Sequence, residues 1–160
     1  MSIAVLCIRP EPFYRRSAFT DGLKRLGYTI IHRQNPDPRD RPKSRDDLIV
    51  IWNKKRGHDE MMAHQWEKLG GTVIIAENGY LQQTDKTYYA LATHGHNGSG
   101  WSPVGTDDRF AKLGFTIKPP RDGGEYILVR DQRGIGSTLM ASPMGWGQKM
   151  VEVLKRHAPF

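Results

Sequence analysis

The sequence predicts an α/β fold, a mostly parallel sheet with helices packed on it. Three observations predict this. An amphipathic stretch ending in Leu-Gly and followed by a β-branched run recurs as LKRLGYTII (23–31), WEKLGGTVII (66–75) and FAKLGFTI (110–117). Two further runs, IAVLCI (3–8) and DLIVIWN (47–53), are almost continuously apolar, as strands are when both faces are covered. In chain order these segments read strand, helix, strand, strand, helix, strand, the pattern of a Rossmann-like sheet.

The first strand, IAVLCI, has no basic flank before it and reads as structure rather than as a signal peptide. A helix follows in which Phe19, Leu23 and Leu26 share one stripe. Gly27 stands where helices end in a left-handed residue. YTIIHR is the second strand. The stretch RQNPDPRDRPKSRD (33–46) is charged and broken by prolines, which predicts an exposed loop with no core of its own. Two outcomes stay open there: the third strand pairs without a crossover helix, or a short helix lies near Ser44–Asp47. DLIVIWN is the third strand. Met62, Trp66 and Leu69 mark the stripe of the next helix, Gly70 ends it, and TVIIAE is the fourth strand. TYYALATH (87–94) is a further candidate. Beyond it come a turn-rich linker, PPRDGGE (119–125), a strand, YILVRD (126–131), and a glycine-bearing loop. A last helix starts at Ser142 and Pro143 and carries Trp146, Met150, Val153, Leu154 and His157 at helical spacing. The expected division is a first domain over 1–118, a linker over 119–125 and a partial second-domain strand–loop–helix unit over 126–160.

The chain has 160 residues and a formal charge of +7. Residues 14–56 hold twelve Lys or Arg against five Asp, an excess equal to that of the whole chain. Such a stretch is the electrostatic footprint of a polyanion binder, with Arg15, Arg16, Arg39, Arg41, Lys43, Arg45, Lys54, Lys55 and Arg56 as candidate nucleic-acid contacts. The competing reading is a solvated basic face without a specific partner. No run of about eighteen apolar residues occurs, so no membrane span is expected. The single cysteine, Cys7, lies in the first strand and excludes a disulfide framework, which points to a reducing, cytoplasmic setting.

Open α/β sheets bind ligands at the carboxyl ends of their strands. Four polar clusters are assigned there: Trp52-Asn53-Lys54, Glu77-Asn78-Gly79-Tyr80, HGHNGSGWSP (94–103) and QRGIG (132–136). The third is not an ATP-type phosphate loop, because Trp101 occupies the place of the required lysine. As a metal site His94 and His96 lack a partner pair at zinc spacing, although Asp107 and Asp108 follow, and no metal is expected. A sugar or base platform suits it better. Asn97, Ser99 and the histidines offer short donors and acceptors, and Trp101 offers an aromatic face. A surface turn with a partly buried Trp101 is the bland alternative. For proton transfer Glu77 leads, since it ends an apolar strand where partial burial suits a general base; its bland role is to accept hydrogen bonds from the next turn. His94, His96 and Asp107 are the other candidates. No Ser-His-Asp or Cys-His arrangement is legible.

The runs IVIWNKKRGHDEMMAHQWEKLGGTVIIAENGYL, YYALATHGHNGSGW and YILVRDQRGIGSTLMASPMGW together resemble GT-B type glycosyltransferases of bacteria and phages. That family is related to capsular-polysaccharide transferases and includes enzymes proposed to glycosylate phage DNA at hydroxymethylated pyrimidines. The likeness covers roughly residues 47 to 157. It implies transfer of a sugar from a nucleotide-sugar donor, with no further cofactor, to an acceptor that would be modified DNA. Asn53, Glu77, Asn78, Gly79 and Tyr80 match the family's first-domain strand ends. His94, His96, Asn97, Gly98, Ser99 and Gly100 match the loop facing the interdomain cleft, and Gln132, Arg133, Gly134 and Gly136 match a loop of the second domain. The resemblance implies Glu77, His94 or Asp107 as the base and Arg133 as the cation on the departing diphosphate. The sequence departs from the family by carrying one strand–helix unit of the second domain, so two outcomes stay open: a partner chain or a homo-oligomer completes the site, or the chain is a shortened relative. The alternative is a non-catalytic nucleic-acid- or nucleotide-binding module, an inhibitor or partner subunit derived from that fold.

Overall fold

The computed structural model describes residues 1–54, 57–79, 88–95, 104–105, 108–119, 123–130 and 145–157. These fall into two compact units, one holding the described residues up to Gly95 and one those from Val104 onward.

The first unit is the sheet. Its strands are β1 (Ile3–Cys7), β2 (Thr29–His32), β3 (Leu48–Trp52), β4 (Thr72–Asn78) and β5 (Tyr89–Thr93), in the spatial order β2-β1-β3-β4-β5. The first four are parallel, and β5 runs antiparallel to β4. Helix α1 (Arg16–Arg25) joins β1 to β2, and α2 (His58–Lys68) joins β3 to β4.

The two helices cover opposite faces. Phe19 and Leu23 of α1 pack on Ala4, Leu6, Ile8, Leu48, Val50 and Ala76. Met62, Ala63 and Trp66 of α2 pack on Val5, Cys7, Ile49, Ile51, Val73 and Ile75. Both sets alternate along β1 and β3, which explains why those strands read as apolar runs rather than as alternating ones. Gly27 (φ +85°) and Gly70 (φ +81°) end the helices in the left-handed region, as expected.

The chain goes outward from β1 to β2 and then back across β1 to β3, so the winding reverses between β1 and β3. The return segment, 33–47, contains no helix; near Ser44 the chain makes a turn closed by the Asp47 N–H donating to the Ser44 carbonyl at 3.2 Å. This segment does have a packed role. Pro36 is buried, and the Asp40 carbonyl accepts the Trp66 indole N–H at 2.9 Å. Pro42 and Trp66 crowd Gly71 so closely that a Cβ there would sit 2.8 Å from each, which is why the second glycine of the Leu-Gly-Gly stretch is needed. A proline-broken loop thus serves as part of the layer on the α2 face.

The second unit contains α3 (Asp108–Leu113) and α4 (Trp146–His157). The expected boundary at 118–119 lies inside this unit. The strand expected over 126–131 does not form over 126–130, and Tyr126 and Leu128 are exposed there. An apolar run becomes a strand only when a neighbour completes its hydrogen bonds, and the unit has no strand among its described residues. No helix among the described residues is long and apolar enough to cross a membrane.

Candidate functional site

The winding reverses between β1 and β3, and sheets of this kind take ligands outside the carboxyl ends of the strands at such a point. The β1 side is the segment Arg9-Pro10-Glu11-Pro12-Phe13-Tyr14-Arg15-Arg16. The Phe13 and Tyr14 N–H groups donate to the Pro10 carbonyl at 3.2 and 3.5 Å. The Glu11 carboxylate accepts the Ser17 hydroxyl at 2.6 Å and the Ser17 N–H at 3.0 Å, fastening the first turn of α1. Those two donors hold the Glu11 carboxyl down to about 2.

Tyr14 turns inward and stacks on Trp52 at the end of β3, with ring centroids 4.0 Å apart. Trp52 meets Tyr89 of β5 edge-on at 5.6 Å. The Tyr89 hydroxyl accepts the Arg15 N–H at 2.9 Å. An aromatic brace therefore ties the start of α1 to β3 and β5. Next to Trp52, Asn53 adopts φ +63°, a left-handed conformation that asparagine tolerates better than most residues. Three arginines stand at this edge, with the Glu11 carboxylate among them feeling the charge of Arg16. Arg9 and Arg15 are exposed and Arg16 half-exposed, and none makes an ion pair among the described residues. Partial burial, with the charges of Arg16 and Lys24, holds the His32 imidazole at the end of β2 below its usual value.

Glu77 and Asn78 end β4 at this same edge, on opposite faces of the sheet. Glu77 pairs with Ala90 on the α2 face, and Asn78 pairs with Tyr89 on the α1 face. Gly79 follows, its N–H donating to the Tyr88 carbonyl at 2.8 Å. A Cβ there would lie 2.7 Å from that oxygen, so this close approach of Gly79 to Tyr88 requires glycine.

His94 lies elsewhere. Because β5 is antiparallel, its end returns to the amino ends of the parallel strands, where the His94 N–H donates to the Val73 carbonyl at 2.9 Å. Glu77 and His94 thus stand at opposite ends of the β4–β5 pair. HGHNGSGWSP, expected at the carboxyl ends, opens with His94 and Gly95, and these two lie at the amino edge instead.

Lys54 is also placed differently from its expected role. It is 2% exposed, and its ammonium donates to Glu67 Oε1 at 3.0 Å and to the His94 carbonyl at 2.8 Å. Glu67 also meets the Nδ1 atoms of His64 and His94, each at 3.3 Å. A buried ammonium needs such partners, so Lys54 is taken out of the exposed basic surface. The rest of the basic segment divides as well. Arg33 holds Asp40 through two bonds of 2.6 and 2.7 Å, and Arg39 pairs with Asp37 at 2.7 Å. Arg41, Lys43 and Arg45 are exposed on the return segment, which leads down to the amino end of β3. The segment is not one stripe.

Comparison with family models, with curated proteins and with solved structures finds no match to this chain.

Lys55, Arg56, Tyr80, His96, Asn97, Gly98, Ser99, Gly100, Trp101, Asp107, Gln132, Arg133, Gly134 and Gly136 lie outside the described residues. No group of three His, Cys, Asp or Glu side chains placed to hold a metal occurs among the described residues. Tyr14, Glu11, Tyr89 and Arg9 were missed by sequence reasoning. For Arg9, Glu11 and Tyr14 the signal was present, since RPEPFYRR directly follows the first strand and a strand's carboxyl end is where a site is sought; Tyr89, inside a candidate strand, carried none. Glu67 was hidden inside a helix-end pattern and carried no signal of its own.

Proposed function

We propose that this protein transfers a sugar from a nucleotide donor to modified nucleic acid, hydroxymethylpyrimidine DNA in particular, with the sheet unit as the acceptor-binding half. The observation that supports this best is the reversal-point edge, which combines three cations without ion pairs among the described residues, Arg9, Arg15 and Arg16, with the polar strand ends Asn53, Glu77 and Asn78. Cations at that edge meet phosphates, and the strand-end carboxylate meets the hydroxyl to be glycosylated. Glu77 is the base in this reading, since His94 stands at the other end of the strand pair. It takes the proton of the acceptor hydroxyl as the new C–O bond forms. The bond from the sugar to the diphosphate breaks, and the diphosphate leaves with the electron pair.

The test is to incubate the protein with hydroxymethylpyrimidine DNA and a set of nucleotide sugars, digest to nucleosides and weigh the products. A mass increment of one sugar is expected, with transfer reduced about 100-fold or more by Glu77→Gln. No increment with any donor overturns the catalytic reading. Salt-dependent DNA binding without turnover would leave a binding module, the reading that the same exposed arginines favour.

A further inference from the structure

We propose that the carboxyl edge takes unpaired nucleotides of a nucleic-acid strand, with the Phe13 ring as a stacking platform and Arg9, Arg15 and Arg16 as phosphate contacts. This rests on the nucleic-acid part of the reading above and adds the state of the strand to it.

Phe13 is 68% exposed. A single exposed aromatic on a loose turn needs no explanation. Here, however, the turn is fastened at every side. The Phe13 N–H is bonded to Pro10, the next residue is stacked on Trp52, Glu11 is held by Ser17, and the Arg15 N–H is bonded to Tyr89. The backbone that carries the ring is thus fixed while the ring itself points outward. A large aromatic held in place before binding loses little freedom when a partner arrives.

The neighbours of the ring narrow the partner. The Arg9 guanidinium lies over one face of the ring, 5.8 Å from its centroid, so that face holds a cation and the opposite face is the one open to a flat group. Arg15 and Arg16 follow within three residues, and neither makes an ion pair among the described residues. Aromatic face plus spaced cations is the pairing that single-strand binders use, with bases stacked on rings and phosphates held by arginine. Inside a duplex both faces of a base are covered by its neighbours, so a protein ring reaches a face only where bases are unpaired. A duplex would meet the arginines alone.

The experiment is fluorescence anisotropy on the full chain, using a labelled mixed-sequence oligodeoxynucleotide and the blunt duplex of the same sequence. The single strand is expected to bind about five-fold or more tightly than the duplex. Phe13→Ala weakens single-strand binding by about ten-fold, leaves duplex binding within about two-fold and keeps the melting temperature, whereas Phe13→Trp retains single-strand affinity. Equal binding of strand and duplex overturns the proposal. So does unchanged single-strand affinity in Phe13→Ala, or displacement of the strand by polyglutamate as readily as by unlabelled oligonucleotide. Sugar transfer is read separately by mass. Its loss with single-strand preference intact overturns the transfer reading alone, and the reverse outcome overturns this proposal alone.

Discussion

The two ends of the sheet treat charge in opposite ways. At the amino end, charges are buried and matched. Asp47 is 2% exposed and accepts the N–H groups of Ile3, Lys43 and Ser44 at 2.8, 2.7 and 3.0 Å, and the ammonium of Lys54, a residue that follows the carboxyl end of β3, reaches Glu67 and the His94 carbonyl on the amino side. At the carboxyl end, Arg9 and Arg15 are exposed, Arg16 half-exposed, and Phe13 stands in water beside them. The amino end therefore uses charge to hold strands and helix together, and the carboxyl end leaves its arginines facing solvent. Lysines and arginines that look alike in one basic stretch belong to these two roles according to burial and partners.

That contrast predicts different failures at each end. The largest effect is expected from Lys54→Ala, which leaves Glu67 without its ammonium and empties a buried position. It should lower unfolding stability by about 3 kcal/mol in urea denaturation while leaving oligonucleotide affinity per folded molecule unchanged. An equal loss of affinity in the folded fraction would break the division of roles.

Asp47 gives a pH-dependent test. Burial pushes its carboxyl up, but the backbone N–H donors from Ile3, Lys43 and Ser44, with the Ser44 side chain, outweigh that and leave it below its ordinary value. A carboxyl depressed in the folded state contributes stability above its unfolded pKa of about 4, and that contribution is lost as pH falls through the folded value. Asp47→Asn should cost about 2 kcal/mol at neutral pH and flatten the acid limb of the stability curve below about pH 4. An acid limb unchanged from that of the parent protein would remove Asp47 from the account.

Much of the fold was legible because its signals are local. Continuous apolar runs mark β1 and β3, and left-handed glycines mark the helix ends, with no knowledge of partners required. What was not legible depends on partners. YILVRD has the composition of a strand but no strand beside it among the described residues. TYYALATH holds β5, yet its direction shows only in its antiparallel pairing with β4, and that pairing carries His94 to the end opposite the expected site. Lys54 reads as one more surface cation until α2 brings Glu67 against it. At the site, Asn53, Glu77 and Asn78 were legible as strand ends, whereas Tyr14 and Tyr89 meet through Trp52 only after folding.

The central claim is that the carboxyl edge is the binding edge, and the salt dependence of oligonucleotide binding tests it most directly. Two variants are compared with the parent: Arg15→Ala/Arg16→Ala at the carboxyl end, and Arg41→Ala/Lys43→Ala/Arg45→Ala on the return segment. The first should reduce the slope of log affinity against log salt by about two and weaken binding, while the second leaves the slope within about half a unit of the parent. A slope that falls with the second variant and holds with the first would contradict the account.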